Sequence, residues 1–277
     1  MPPQKPTAML ASTDGTIVPA TEARVPVLDD GLLRGDGAFE FVRCYLGRPF
    51  TLAEHLDRME RTCATIRLHC PRQTLERDVR ALLAAAGPVN RDLRIVLTRG
   101  GRRILLLEPF LDWGQARLAL VTDQPRYVLG NAKSLSYAGN MLARRLAEER
   151  GFKEALLITP DGRVMEVQQA AFFWVAPDGA LCTPPLSEGI LDSITRRIVM
   201  KRLPVEERVC RTADALQAGE AFLAGTAREI HPVGVIEDRV FTGVPGPATQ
   251  RAIHGYWDEV REALGITAAE VSAAAEA

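Results

Sequence analysis

The sequence has little lysine, almost no net charge and no long apolar run, and each shortage excludes a class of protein. Only four of the 34 basic residues are lysine, and the 277 residues carry a net charge of -1 at pH 7. That balance gives no indication of a nucleic-acid partner or of an anionic membrane surface. No apolar stretch approaches the roughly 20 residues that cross a bilayer, so we expect no membrane partner. The first residues also lack the apolar segment of a signal peptide.

Cysteine and histidine are scarce too, and neither has the spacing of a disulfide-bonded domain or a metal site. The five cysteines are odd in number and lie in apolar surroundings, and the four histidines form no close pair. Disulfide-rich domains and zinc sites need regular spacings that this sequence does not have. We therefore expect buried free thiols, no metal and a cytoplasmic location.

Local patterns predict an α+β fold in two domains. Strand and helix patterns, among them a hairpin around Asp14-Gly15, predict a small α+β domain over 1–122. Proline and glycine within 123–132 indicate a linker. A helix from Tyr137, followed by a meander of strands joined by Pro-Asp-Gly turns, predicts a larger domain over 133–277.

Three other segments carry specific expectations. The glycine-rich and charged segment 29–37 is predicted to be a loop, and the alanine-rich and glutamate-rich tail beyond Gly265 is predicted to fray. A helix over 194–203 should be capped by Asp192 or Ser193.

Amine chemistry has few candidates here, because arginine stays protonated whereas lysine loses its proton when its surroundings depress its pKa. Lys5 lies in a proline-rich terminus, and Lys153 and Lys201 have the neighbours of surface charges. Lys133 lies between an extended run and an amphipathic helix, where a side chain can point into a cleft. By position alone a solvated lysine is the more common outcome. Lys133 is therefore a candidate only if other residues of the sequence suit the same chemistry.

Three further elements suit a Schiff-base lysine that works with a phosphorylated pyridine cofactor. Glu166, at the end of an apolar strand, could be the carboxylate beside the ring nitrogen or an outward-facing strand residue. The helix start 192–195 and the turn 224–227 could bind a phosphate through backbone N–H groups. Arg58, in a predicted helix, could supply the counter-charge or could be an exposed helical arginine.

Eight segments in chain order extend this pattern over nearly the whole sequence. They are 35–45, 50–59, 133–140, 161–166, 183–186, 189–196, 225–233 and Gly246-Pro247. In these segments the chain resembles the fold type IV pyridoxal-phosphate enzymes. That family comprises branched-chain aminotransferases, D-amino-acid aminotransferases, R-selective amine transaminases and aminodeoxychorismate lyases. The resemblance implies a two-domain fold with a small α/β N-terminal domain and a larger pseudo-barrel C-terminal domain.

The resemblance implies pyridoxal 5′-phosphate as the cofactor and a role for each matched residue. Lys133 would form the Schiff base and carry a proton between the substrate Cα and the cofactor, and Glu166 would pair with the pyridine nitrogen. The other cofactor-binding residues would be Arg58, Tyr137, Ser193, Ile194, Thr195, Gly225 and Thr226. The substrate-binding residues would be Phe39, Arg43, Tyr45, Arg99, Arg102, Arg103 and Ala227. A homodimer is also implied, in which segment 29–34 reaches the neighbour's site.

The sequence departs from the family pattern in three places, one of which is Ser193 at the position of the usual glycine in Gly-Ile-Thr. Ala171 stands where the family usually has an asparagine that braces the cofactor region. The turn 99–103 is unusually short and rich in arginine. Cofactor binding should tolerate these departures better than substrate identity does.

We expect a transaminase that moves an amino group between a branched-chain or other hydrophobic amino acid and a 2-oxo acid such as 2-oxoglutarate. The turn 225–227 and the apolar side chain of Phe39 favour this activity. A D-amino-acid or R-selective amine transaminase remains open, as does a lyase that releases pyruvate from aminodeoxychorismate. A non-catalytic relative is disfavoured by the presence of Lys133 and Glu166, although Ala171 keeps that alternative open.

Overall fold

A computed structural model describes residues 9–111, 113–122 and 131–276. The chain forms two compact units. The first contains Met1–Phe110, Ala132–Ser136 and Ala263–Ala277, and the second contains Leu111–Asn131 and Tyr137–Glu262. Most of the predicted linker, residues 123–130, lies outside the described residues. The predicted domain boundaries at 122 and 133 stay predictions.

The bounds of the helices and strands in the described residues are as follows. The first part contains β1 (Leu10–Thr13), β2 (Thr16–Pro19), α1 (Asp30–Arg34), β3 (Gly37–Tyr45), β4 (Arg48–Pro49), α2 (Leu52–Thr65), α3 (Arg72–Ala86), β5 (Arg91–Thr98), β6 (Arg103–Glu108) and β7 (Ala116–Thr122). The middle contains α4 (Ala138–Glu149), β8 (Glu154–Ile158), β9 (Arg163–Val167), β10 (Ala171–Val175), β11 (Leu181–Thr183) and α5 (Ile194–Arg202). The last part contains β12 (Glu206–Glu207), β13 (Cys210–Arg211), α6 (Thr212–Gln217), β14 (Glu220–Gly225), β15 (Glu229–Ile236), β16 (Arg239–Val240), α7 (Pro247–Leu264) and α8 (Ala268–Glu276).

The first unit is built on a six-stranded sheet in the order β2-β1-β6-β5-β3-β4. Strand side chains alternate between the two faces, so Ala38, Val42 and Cys44 of β3 share one face and belong to one buried cluster. Helix α2 contributes Leu56 and Met59 to the same cluster, at helical spacing. Each such large side chain contributes about 1.5–3 kcal/mol when it is fully buried, and this packing fixes α2 against β3.

The edge of β3 holds the short segment that contains Lys133. The N–H of Phe39 donates to the carbonyl of Lys133 at 3.0 Å, and the N–H of Leu135 donates to the carbonyl of Gly37 at 2.9 Å. A Cβ at position 37 would lie 2.3 Å from the carbonyl oxygen of Leu97. Glycine is therefore required where this segment joins the strand.

The second unit is built on a ten-stranded mixed sheet. Its order is β12-β11-β10-β14-β15-β7-β8-β9-β13, and β16 pairs with β15. The hairpin of β8 and β9 turns at Asp161-Gly162, as the sequence predicts, and Gly162 has a φ of 81°. Phe172, Trp174 and Leu223 lie in its main core. The hairpin places Glu166 near the end of β9.

Two sequence predictions are wrong. The predicted loop 29–37 contains helix α1, because Asp29 caps it by accepting the N–H of Gly31 at 2.8 Å. The tail that was expected to fray forms helix α8. Thr267 and Glu270 cap each other's backbone N–H groups there at 3.3 and 2.8 Å, as in the Thr-x-x-Glu capping box. Burial of Val271 then fixes the helix in the first unit.

All five cysteines are free, and four of them are buried. Within the described ranges, no helix combines the length and the apolar character that crossing a bilayer requires.

Candidate active site

In the first unit, Lys133 is fixed through its backbone. Its N–H donates to Thr62 Oγ1 of α2 at 3.1 Å, while its carbonyl accepts from Phe39 of β3. The side chain is half-buried, and Nζ lies 4.4 Å from the centroid of the Phe39 ring. A helix and a strand therefore both determine where this amine lies.

Arg58 is not the exposed helical arginine that the sequence left open. It is 4% exposed, and it forms a two-pronged ion pair with Glu40, which is completely buried. Arg58 Nε donates to Glu40 Oε1 at 2.8 Å, and Nη2 donates to Oε2 at 2.7 Å. His55 Nδ1 lies 2.8 Å from the same Oε2. We call Glu40, His55 and Arg58 the buried triad.

The protonation states of the buried triad follow from its burial and charges. Burial alone raises the pKa of Glu40, but the charge of Arg58 and the hydrogen bonds from Arg58 and His55 hold that pKa far below its usual range. Burial lowers the pKa of His55, and the hydrogen bond and charge of Glu40 only partly oppose this effect. At neutral pH Glu40 is therefore ionised and His55 is neutral. Since a carboxylate only accepts, we assign the imidazole proton to Nδ1.

The opposite face of β3 carries the predicted substrate residues Phe39, Arg43 and Tyr45. Arg43 is ion-paired with Asp92 at 3.2 Å, and its guanidinium lies 3.3 Å from the centroid of the Phe110 ring. Tyr45 is fully buried. Arg43, Tyr45 and Phe110 form an aromatic and charged cluster in the first unit. The substrate contacts of all three predicted residues stay predictions.

The arginine turn is tied to carboxylates of the first unit. Arg99 pairs with Asp36 at 3.0 Å, Arg102 pairs with Asp14 at 2.7 Å, and Arg103 pairs with Asp78 at 2.9 Å. Arg99 also donates to the carbonyls of Ile66 and Arg67. A substrate carboxylate at this turn would therefore have to replace or extend an existing ion pair.

In the second unit, Glu166 is 7% exposed, so it is not the outward-facing strand residue of the alternative interpretation. The N–H of Leu191 lies 3.2 and 3.3 Å from its two carboxylate oxygens. Leu191 belongs to the loop that leads into α5. That loop thus fixes the orientation of the carboxylate.

Helix α5 begins as the sequence predicts. Ser193 is its N-cap and accepts the N–H of Arg196 at 3.3 Å. The N–H groups in the first turn of a helix lack partners within the helix, and the helix dipole favours an anion there. Ile194 and Thr195 supply two of these groups, and both residues are buried.

The turn after β14 is closely packed. A Cβ at Gly225 would lie 2.9 Å from both Ala170 Cβ and the carbonyl oxygen of Gln169. The following residues, 226–228, form a 3₁₀ turn, and Trp113 Nε1 donates to the carbonyl of Ala227 at 3.0 Å. The predicted phosphate turn therefore has a fixed backbone.

Sequence reasoning missed several residues that support these groups. In the second unit, Arg228 is buried, ion-pairs with Glu154 and lies 4.1 Å from the centroid of the Trp113 ring. Asn140 Nδ2 and the Tyr137 hydroxyl both donate to the carbonyl of Gln168, the former at 3.0 Å. Asn140 thus supplies an amide to the turn that leads to Ala171. Its place in segment 133–140 was a usable signal, whereas nothing local marked the Arg228 contacts.

The donor set fits a phosphorylated pyridine aldehyde. The first unit contains Lys133, an amine whose backbone is fixed by hydrogen bonds, and Arg58, a buried cation. The second unit offers an oriented carboxylate, Glu166, together with the N–H groups and hydroxyls of 193–195 and 225–226. An aldehyde reacts with an amine, a pyridinium nitrogen pairs with a carboxylate, and a phosphate binds cations and N–H groups.

Comparison with known proteins agrees with this chemistry. Residues 37–236 match the family model described as amino-transferase class IV. The chain is 32% identical over 280 residues to the "Putative branched-chain-amino-acid aminotransferase" of Methanocaldococcus jannaschii, covering 91% of this chain and 96% of that protein. It is 30% identical over 281 residues to the D-alanine aminotransferase of Listeria innocua, covering 90% and 95%.

A solved structure gives the same result. The branched-chain amino acid aminotransferase of Thermobaculum terrenum, in its PLP-bound holo-form, superposes with a TM-score of 0.81 at 26% identity, covering 92% of this chain and 94% of that one. The chain therefore belongs to the class IV aminotransferase family. The predicted fold class, the aminotransferase activity and the dependence on pyridoxal 5′-phosphate are confirmed. Its substrates are accordingly amino acids and 2-oxo acids.

Proposed function

We propose that this aminotransferase acts on a branched-chain or other hydrophobic amino acid, with a 2-oxo acid such as 2-oxoglutarate as acceptor, and that Lys133 is its catalytic lysine. The observation that carries the proposal is the position of Lys133. It is the one lysine whose backbone is held by both β3 and α2 among the residues that the structure describes.

The predicted cofactor-binding residues and Lys133 have the following parts in this proposal. The cofactor would be held by Arg58, Tyr137, Glu166, Ser193, Ile194, Thr195, Gly225 and Thr226. When bound, it supplies an electron sink that makes the substrate Cα–H acidic. Lys133 Nζ accepts the proton from Cα and returns it on the cofactor side. Glu166 would accept a hydrogen bond from the ring nitrogen, and the N–H of Leu191 orients its carboxylate.

The proposal for a hydrophobic side chain rests on the first unit. Phe39 lies beside the lysine amine, and the rings of Phe50 and Phe110 pack against Tyr45, which is on the same face of β3 as Phe39. Ala227 would leave room for a side chain beside the phosphate turn. A D-amino-acid substrate is the second candidate, since identity to the D-alanine aminotransferase of Listeria innocua, 30%, is close to the 32% of the branched-chain relative.

We further propose that the protein is a homodimer located in the cytoplasm. Segment 25–34 exposes five large apolar side chains, those of Val25 (39%), Val27 (70%), Leu28 (82%), Leu32 (62%) and Leu33 (55%). Large exposed apolar patches commonly mark interaction sites. The five free thiols suit a reducing compartment. Light scattering that gave a monomer mass at micromolar concentration would contradict the dimer.

The lysine assignment can be tested by reduction with borohydride followed by peptide mapping. The label should map to Lys133, and Lys133→Ala should lose the half-reaction by roughly a thousandfold or more, as nucleophile deletions do. Lys153→Ala, which removes an exposed lysine of the second unit, is the control and should keep the wild-type rate. Label on Lys153 or Lys201 would refute the assignment.

Substrate class can be tested by following each half-reaction spectroscopically. L-leucine should convert the cofactor to its amino form, and 2-oxoglutarate should reverse the change. Conversion by D-alanine or R-1-phenylethylamine and not by L-leucine would replace the branched-chain proposal with the second candidate.

A further inference from the structure

The buried triad is an unusual use of charge in an apolar core. Glu40 lies on the same face of β3 as Ala38 and Val42, within the cluster that packs against α2. It is 0% exposed, His55 is 1% exposed and Arg58 is 4% exposed. The cofactor chemistry described above assigns no role to Glu40 or His55.

Stability alone is a poor explanation for such a group. The desolvation of a buried ion pair can exceed the attraction between its charges, and apolar residues of the same size often stabilise a fold as well or better. What the buried triad supplies is orientation. Both oxygens of Glu40 accept from the guanidinium of Arg58, through Nε and Nη2, which fixes the plane of that group. His55 holds the carboxylate from a third direction.

Helix α2 connects this orientation to the lysine. His55, Arg58 and Thr62 are spaced three and four residues apart, so they lie on one face of the helix. Thr62 accepts the backbone N–H of Lys133 at 3.1 Å. The rotation of α2 about its axis therefore determines both where the guanidinium points and where the lysine backbone is held.

We infer that Glu40, supported by His55, is the positioning residue of Arg58 and gives the aminotransferase its selectivity for a phosphorylated cofactor. This inference rests on the proposed role of Arg58 in binding the cofactor phosphate. Glu40 acts through Arg58 and needs no contact with the cofactor. Loss of its second oxygen or its charge frees the guanidinium to rotate, and the phosphate then loses its oriented donor.

The test compares two probes on the full-length protein freed of cofactor. Dissociation constants are measured for both probes, and the constant for pyridoxal divided by the constant for pyridoxal 5′-phosphate reports the contribution of the phosphate. Glu40→Gln should lower that ratio about tenfold, within the coupling range of residues in contact. Pyridoxal affinity should stay at the wild-type value, because the lysine and the groups of the second unit remain intact.

A matched control lies on the neighbouring strand. Asp92→Asn breaks the buried pair with Arg43, on the opposite face of β3, and should leave the ratio unchanged. If Glu40→Gln fails to fold, Glu40→Asp keeps the charge but shortens the side chain, and it should lower the ratio in the same direction. A folded variant with the wild-type ratio would overturn the inference, even if its melting temperature fell. A wild-type protein that binds both probes equally would instead overturn the proposed phosphate role of Arg58.

Discussion

The two units fix their site groups by different physical means. In the first unit a buried carboxylate orients Arg58, and a hydroxyl and a strand edge hold Lys133. In the second unit main-chain groups do most of this work. The N–H of Leu191 orients Glu166, and close packing against residues 169 and 170 defines Gly225.

This difference determines how each unit responds to change. A charged group in an apolar core is sensitive to loss of its partner and to protonation, because the low dielectric magnifies both effects. A turn built from main-chain N–H groups is insensitive to side-chain charge, but it has no room for added atoms. Changes of charge should therefore destabilise the site groups of the first unit, whereas added side-chain atoms should destabilise those of the second unit.

The largest effect should come from removing the carboxylate of the buried triad. Glu40→Ala removes the carboxylate that pairs with the buried Arg58, and breaking a buried pair in this way costs about 3–5 kcal/mol. Urea unfolding of the wild type and the variant measures the loss.

The control for this variant is an exposed ion pair that joins the same helix, α2, to α3. Asp57 pairs with Arg72 at 2.5 Å, but the Asp57 side chain is 52% exposed. Asp57→Ala should cost no more than about 1 kcal/mol, as exposed pairs do. If both variants lost the same free energy of unfolding, burial would not determine how much each ion pair contributes to stability. The proposed difference between the two units would then be wrong.

A smaller effect is expected where the second unit depends on shape. Gly225 has a φ of -162°, an extended conformation that any residue adopts. The whole cost of Gly225→Ala therefore comes from its contacts at 2.9 Å with Ala170 and Gln169. Overpacking of this kind costs about 1–3 kcal/mol, and cofactor affinity should fall because the turn must move.

Gly219 provides the comparison for this prediction. It lies just before the same strand, and a Cβ there meets only the carbonyl oxygen of Val175, at 3.9 Å. Gly219→Ala should change stability by less than about 0.5 kcal/mol. If the Gly225→Ala protein were as stable as the Gly219→Ala protein, the turn would accommodate the added methyl group, and the prediction would be wrong.

The parts of the site that depend on local signals could be predicted from the sequence. Ser193 before an apolar helix is enough to predict a cap, and it caps α5. The scarcity of lysine left one candidate with a suitable position. The Thr267-x-x-Glu270 pattern was an equally local signal for α8, and composition alone obscured it.

The contacts within the site could not be predicted, because they join residues that are far apart in the sequence. Glu40 and Arg58 are 18 residues apart, and Arg99 and Asp36 are 63 apart. Alternation along β3 would have placed Glu40 on the core face with Ala38 and Val42. It could not have supplied the partner that makes burial of the charge tolerable. Long-range pairs of this kind are visible only once the strands are in register.

The last and smallest effect is a dependence of stability on pH that originates in the first unit. Burial lowers the pKa of His55 below its ordinary value near 6.5. As the pH falls through that value, the unfolded chain binds a proton that the folded chain does not, so stability decreases. Between pH 7.5 and 5.5 one such group accounts for up to about 1.4 kcal/mol. Glu40 adds nothing in this range, since its pKa is shifted downward from 4.5.

His55→Gln should remove this part of the pH dependence while keeping a donor near Glu40. The measurement is the free energy of unfolding at pH 7.5 and at pH 5.5 for both proteins. The wild type should lose more stability on acidification than the variant does. His69→Gln, which removes an exposed histidine of the same unit, controls for the loss of a histidine as such. A gap between wild type and His55→Gln that is the same at both pH values would mean that His55 does not stay neutral in the fold, and the electrostatic account of the buried triad would have to be revised.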